Sequence, residues 1–224
     1  MQLRMRSNSR IASVTGSAAA VILSAALATA PVAGAAEVAG LRPDAPGPTI
    51  NVDVQIPSPV NFIAAQAASD VETFWVQRIP AFNPPTLYAA LPAAVPGHVC
   101  LSQLSIARFC SGEIAWDVPD LEQIDAAGGT LAVLTVLAHE MGHQIQAFRG
   151  VAASELGADC LAGVYLTSVS DGLSPRFSGT PADVDAAVMS TFSTTRSDAI
   201  PARVAAFATG RGGTADGCLA AYPE

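Results

Sequence analysis

Lysine is absent from this chain, which excludes Schiff-base and lysine-nucleophile chemistry outright. All 11 basic residues are arginines, set against 19 acids, for a formal charge of −8. Three of those arginines, Arg4, Arg6 and Arg10, fall in the first 35 residues, which carry no acid. Without that stretch the charge is −11, a balance that argues against nucleic acid as a partner. There are only four cysteines, Cys100, Cys110, Cys160 and Cys218, and none forms a C-x-x-C pair. A cysteine zinc site is therefore disfavoured. Beyond the N-terminus no apolar run is long enough to span a bilayer. Leu131 to Ala138 is apolar but leads straight into a charged motif, so it reads as a buried core helix.

Histidine is scarce too, with three in the chain, and two of them lie within His139-Glu140-Met141-Gly142-His143. Histidines at i and i+4 share one helix face, about one turn apart. Their imidazoles can grip one zinc ion, and the glutamate after the first can reach a water on that ion. By background composition, an H-E-x-x-H match falls in well under roughly 1% of chains this long.

The N-terminus has the order of an export signal: a basic Met1–Arg10, an apolar Ile11–Ala30, then Ala33-Gly34-Ala35 as a cleavage site. Residues 1–35 are expected to be a signal peptide or an N-terminal anchor. The protein is accordingly expected to be secreted or extracytoplasmic, with a membrane as partner only if the segment stays uncleaved. No cysteine sits near the cleavage site, which disfavours a lipoprotein. An even cysteine count in an exported chain favours disulfides. Cys100–Cys110 closes a short local loop and Cys160–Cys218 ties the C-terminal tail to the core, so these are the favoured pairs among the three possible pairings.

Residues 36–60 hold five prolines and read as a linker or extended arm. The remaining 61–224 is expected to be one domain. Apolar spacing predicts a helix over 60–79 ending before Pro80, then loop over 80–97. Alternation at Ile114, Trp116 and Val118 predicts a short strand. The motif helix spans 130–148, with Thr130 as N-cap and Gly150 as its stop. Further helices are expected over 153–170, 182–195 and 198–209. The last is capped by Ser197 or Asp198, has Pro201 in its first turn and ends at Gly210. The expected class is α+β, mostly helical, with a small sheet, stapled by disulfides.

A catalytic zinc needs three protein ligands and one open position. Glu155 and Asp159, again at i and i+4, lie on the next helix in an apolar, small-residue setting. Folded back across the motif helix, Glu155 is the expected third ligand. Asp159 is expected to accept the second N–H of a zinc-bound histidine and fix its tautomer. Glu140 is the expected general base. The strand at Ile114–Val118 is either an ordinary core strand or an edge that pairs with a substrate backbone, with Ile114, Ala115 and Trp116 as its substrate-binding residues. His98, in a loop, is a surface or core histidine before it is a ligand. Tyr88, Tyr165 and Arg203 are candidates for stabilising an oxyanion, and spacing selects none of them.

These stretches together resemble the bacterial neutral zinc metallopeptidases. The resemblance is carried by Ser69-Asp70-Val71 to Phe74-Trp75, by Phe109-Cys110 with Ile114 to Asp117, and most strongly by Leu137–Gln146 and Glu155–Tyr165. Arg203 to Gly210 with Cys218 completes it, so it covers roughly residues 69 to 218. It implies a zincin-like metallopeptidase domain of gluzincin type, one zinc per chain and a protein or peptide substrate. Its His, Glu, His and Glu-x-x-x-Asp residues fall on His139, Glu140, His143, Glu155 and Asp159 without a gap. The chain departs from the family at 111–118, which lacks the Cys-Pro and Ile-Tyr-Leu-Asp wording usual there, and at 166–196, which is shorter. Substrate preference is what these departures affect. The expected activity is an exported zinc endopeptidase. The alternative is a non-catalytic zinc-binding protein of the cell envelope.

Overall fold

The computed structural model describes residues 40–46, 57–90, 106–194 and 199–223, all within the compact unit that runs from Glu37 to Glu224. The signal or anchor segment, His98 and Cys100 lie outside the described residues, and with Cys100 the expected Cys100–Cys110 pair. Seven helices surround one small sheet among the described residues: α1 (Pro59–Val76), β1 (Thr86–Ala90), β2 (Ala107–Cys110), β3 (Glu113–Asp117), α2 (Val118–Gly128), α3 (Thr130–Phe148), α4 (Glu155–Ser170), α5 (Pro181–Thr194), α6 (Ile200–Gly210) and α7 (Ala215–Ala221). The expected mostly helical α+β class with a small sheet is what the chain adopts. None of these helices is long and apolar enough to cross a membrane.

Helix α3 is the axis of the fold. It is apolar nearly all round through Leu131–Ala138, and that stretch is buried against α1, α2, α4 and α5. A helix apolar on every side is stable only when other elements cover it. The large buried side chains Trp75, Trp116, Tyr165, Phe177 and Phe192 fill the space around it. Two of their polar ends are paired, whereas Trp75 Nε1 is buried with no hydrogen-bond partner among the described residues. Trp116 Nε1 donates to Asn61 Oδ1 at 3.0 Å, and the Tyr165 hydroxyl donates to Asp70 Oδ2 at 2.6 Å. The expected Cys160–Cys218 disulfide is present and fastens α7 to α4.

Several local expectations change. Gly129, at φ 70°, is the N-cap of α3, and Thr130 is its first helical residue. Gly150, at φ 67°, ends it as expected. The cap of α6 is Ala199, downstream of the two expected residues. Residues 118–128 form a helix that alternation at Val118 concealed. The Asp117 side chain caps it by accepting from Asp120 N at 2.9 Å, and Pro119 falls in its first turn. Strand β1 lies inside the stretch expected to be loop. It pairs parallel with β3, a tertiary contact that local composition does not encode. Part of the expected linker is docked. Leu41 bridges Phe177, Arg42 N donates to Arg176 O at 2.7 Å, and the Arg42 guanidinium reaches Gly172 O at 3.1 Å.

The sheet order is β1-β3-β2, so of the two readings of this strand the ordinary core strand is the one the structure shows. Ile114, Ala115 and Trp116 are buried, and none of them lines the cavity described below. The expected substrate-binding role of these three is corrected: a strand paired on both sides has no ladder groups left for a peptide. Among the described residues strand β2 is the edge on the cavity side.

Candidate metal centre

Two helices build the site, and glycine decides how closely they approach. Gly142 on α3 lies against α4. A Cβ built on it would stand 2.8 Å from both Cα and O of Ala158. No larger residue fits without moving a backbone. This approach carries Glu155, one turn before Ala158, up to the histidine face of α3. A second close crossing sets α6 on α4. A Cβ on Gly163 would fall 2.2 Å from Phe207 O. That crossing delivers Arg203 to Asp159.

The expected ligand set therefore comes together. His139 Nε2 and His143 Nε2 are 3.2 Å apart. Glu155 Oε2 lies 3.2 Å from His139 Nε2, and Glu155 Oε1 lies 3.5 Å from His143 Nε2. Zinc bonds of about 2.0–2.1 Å in tetrahedral geometry place neighbouring ligand atoms about 3.3 Å apart. The two histidine nitrogens have that spacing, and each carboxylate oxygen of Glu155 stands at about the same distance from one of them; taken one atom per residue, the set lies within 4.8 Å.

The hydrogen bonds behind the histidines fix what those atoms are. Asp159 Oδ1 is 2.7 Å from His139 Nδ1, so that nitrogen carries a proton. His143 Nδ1 is 3.0 Å from Gln146 Oε1. The Gln146 amide cannot be turned round. Its Nε2 donates to Ser154 O at 2.9 Å and its Oε1 accepts from Ser154 N at 3.3 Å. An oxygen therefore faces His143 Nδ1, and that nitrogen too must be N–H. Both Nε2 atoms are left to present lone pairs toward the Glu155 carboxylate. Such a convergence of acceptors calls for a cation.

Charge agrees with geometry. Asp159 is buried and receives the Arg203 guanidinium bidentately, through Nε and Nη2, both at 2.7 Å. Burial raises the Asp159 pKa, but Arg203 and His139 outweigh it and hold it low. Burial likewise opposes a charged His139, yet Asp159 and Glu155, with Glu140 further off, raise its pKa from 6.5 to about 10. Hydrogen bonds to His139 and His143 pull Glu155 well below the usual carboxylate range. Three carboxylates, Glu140, Glu155 and Asp159, gather here around the Arg203 guanidinium, with Arg108 also on the cavity wall. With neutral histidines the carboxylates outnumber the guanidiniums, and a divalent cation would offset the excess. The residues present fit zinc.

Glu140 is nearly buried, and its Oε2 accepts from Phe109 N at 2.6 Å. The motif and β2 line a cavity of about 470 Å³ with Ile106–Phe109 on one side and Glu155, Phe192 and Arg203 on the other. Of the oxyanion candidates Arg203 is placed here, while Tyr165 is buried on Asp70; Tyr88 is a residue of β1. Sequence reading missed Gln146, the tie of Arg203 to Asp159, and the Phe109 amide. Gln146 was visible one turn after His143, but its role depends on Ser154 orienting it. The other two are contacts between distant segments, with no local signal.

No family model, no curated protein and no solved structure matches this chain. The reading of the site rests on its own residues.

Proposed function

We propose that this chain is a zinc-dependent peptidase that hydrolyses peptide bonds of protein or peptide substrates outside the cytoplasm. The observation that carries the reading is the tripod of His139, His143 and Glu155, with Nδ1 protons held behind both histidines and Glu140 beside them. The neutral zinc metallopeptidases that the sequence resembles use this arrangement of residue types.

His139, His143 and Glu155 would hold the ion, and Asp159 and Gln146 keep the imidazoles in the ligating tautomer. Bound zinc supplies Lewis acidity, lowering the pKa of a water toward about 7 and polarising a carbonyl. Glu140 takes the proton of the attacking water on its carboxylate and passes it to the leaving amine. Asp159, neutralised by Arg203, stabilises the partial positive charge that ligation places on His139. The buried disulfide and the basic-then-apolar N-terminal stretch support export.

Metal content and casein hydrolysis, read on the same samples of wild type, Glu155→Ala and Glu140→Gln, test the proposal. Expected are one zinc per chain in wild type, loss of zinc and activity in Glu155→Ala, and zinc without activity in Glu140→Gln. The fall in rate for Glu140→Gln should be about 10²–10⁴-fold. Zinc-loaded wild type with no hydrolysis would favour the non-catalytic zinc-binding reading instead.

A further inference from the structure

The general-base carboxylate and the exposed edge of the sheet share one hydrogen bond. In the antiparallel pairing of β2 with β3, Asp117 N donates to Ile106 O at 2.8 Å. Pairs alternate along such a ladder, so Arg108 and Cys110 turn their backbone groups inward to β3, as Ile106 does with its carbonyl, its amide donating to Asp120 Oδ2 at 3.2 Å. Ala107 and Phe109 turn theirs outward, to the free edge. Among the described residues no strand pairs with that edge. The one outward group with a partner is the Phe109 amide, which donates to Glu140 Oε2 at 2.6 Å.

This edge borders the cavity, and Ala107 and Phe109 are among its lining residues. An extended peptide laid along β2 would complete the ladder through the same two residues. Its carbonyl and the Glu140 carboxylate would then compete for one N–H. While the amide holds it, one of the two Glu140 oxygens is occupied and the carboxylate is fixed in orientation. Taking the Phe109 amide away hands Glu140 back an oxygen at the moment the substrate is seated.

Resting on the peptidase reading above, we propose that Phe109 N–H is a latch on the base. It restrains Glu140 in the free protein and is released by a peptide long enough to pair with β2. The site thereby selects extended polypeptide backbone over short peptides, independently of side-chain sequence. The selection appears in the chemical step as well as in binding.

Three proteins test this on a series of internally quenched peptides from three to twelve residues. In wild type, kcat should rise by about tenfold or more once the peptide is long enough to span β2, the worth of one charge-assisted hydrogen bond. An added binding contact without a latch would lower KM and leave kcat alone. Phe109→Pro removes the amide at an outward-facing edge position, where proline is tolerated. Its kcat on the shortest peptides should rise several-fold, and its dependence on length should flatten. Ala107→Pro removes a ladder donor that does not touch Glu140. It should lose rate on long peptides and gain none on short ones.

A wild-type kcat independent of length overturns the latch, whether or not either variant folds. So does a Phe109→Pro protein that retains zinc and loses activity equally on short and long peptides, since the amide would then only position Glu140. If zinc-loaded wild type hydrolyses none of the peptides, the peptidase reading has failed rather than the latch.

Discussion

Gly142 and Ala158 pack so closely that a methyl group on the glycine would stand 2.8 Å from the alanine backbone. This contact between α3 and α4 sets the distance from the two histidines to Glu155. Gly142 is one of the variable positions of H-E-x-x-H, yet its lack of a side chain is a condition of Glu155 reaching the two histidines.

Gly142→Ala should therefore weaken the site without touching a ligand. The added carbon must push α4 away, at a cost of about 1–3 kcal/mol in stability. Glu155 moves with α4, so zinc affinity should fall alongside. Zinc titration against a competing chelator, with a denaturation midpoint on the same protein, checks both. Unchanged affinity would mean that the helices part without disturbing the tripod.

Gln146 should matter to the metal although it does not touch it. Gln146→Leu removes the acceptor for His143 Nδ1–H, and affinity for zinc should fall about 10–100-fold. Gln146→Glu restores an acceptor oxygen and should recover part of the loss. If both variants bind zinc like wild type, the tautomer of His143 is set by something else.

In protein stripped of metal, a proton on His139 takes the place of the cation. Its pKa is raised from 6.5 to about 10, against the opposing effect of burial, by Asp159 and Glu155. The unfolded chain gives that proton up near pH 6.5 and the folded chain near pH 10. The resulting stability is fully present below the lower value and fades as pH climbs to the higher one. Urea midpoints of the stripped protein should drop across this window relative to a His139→Gln variant. Zinc affinity should rise over the same range, because the metal no longer has to displace the proton. A difference that is flat or grows with pH would contradict the assignment.

The Cys160–Cys218 bond closes a separation of 58 residues, and by loop entropy its removal costs about 4 kcal/mol. Cys218→Ser should lower the melting temperature clearly. It should leave zinc stoichiometry at one, because α4 is held in register independently by Gly142 on α3 and by the α6 crossing at Gly163. Metal loss at temperatures where the variant is still folded would assign the disulfide a part in holding the site.

Most of the helical layout was legible because apolar spacing and caps act within a few residues. Ser154 accepts from Gly157 N at the start of α4, and Gly150 closes α3. The sheet was legible only in its central strand. Alternation at Ile114, Trp116 and Val118 made this stretch look like a strand, but which strand lies beside it is decided by a segment well upstream, Thr86 pairing with Glu113 and Ala90 with Asp117. With one strand visible where there are three, the sequence left open whether β3 was a core strand or an edge.

The sequence by itself determined the chemistry of the site. Helical periodicity puts His139 beside His143, Glu155 one turn before Asp159, and Glu140 next to the first histidine, whatever surrounds them. Only the tertiary structure decided the geometry that makes those residues a centre. It turned Gln146 by its two bonds to Ser154, set Arg203 on Asp159, and brought the Phe109 amide to Glu140. Each of these is a contact through space between segments distant or differently oriented in the chain, so the pairing is set by packing rather than by local sequence.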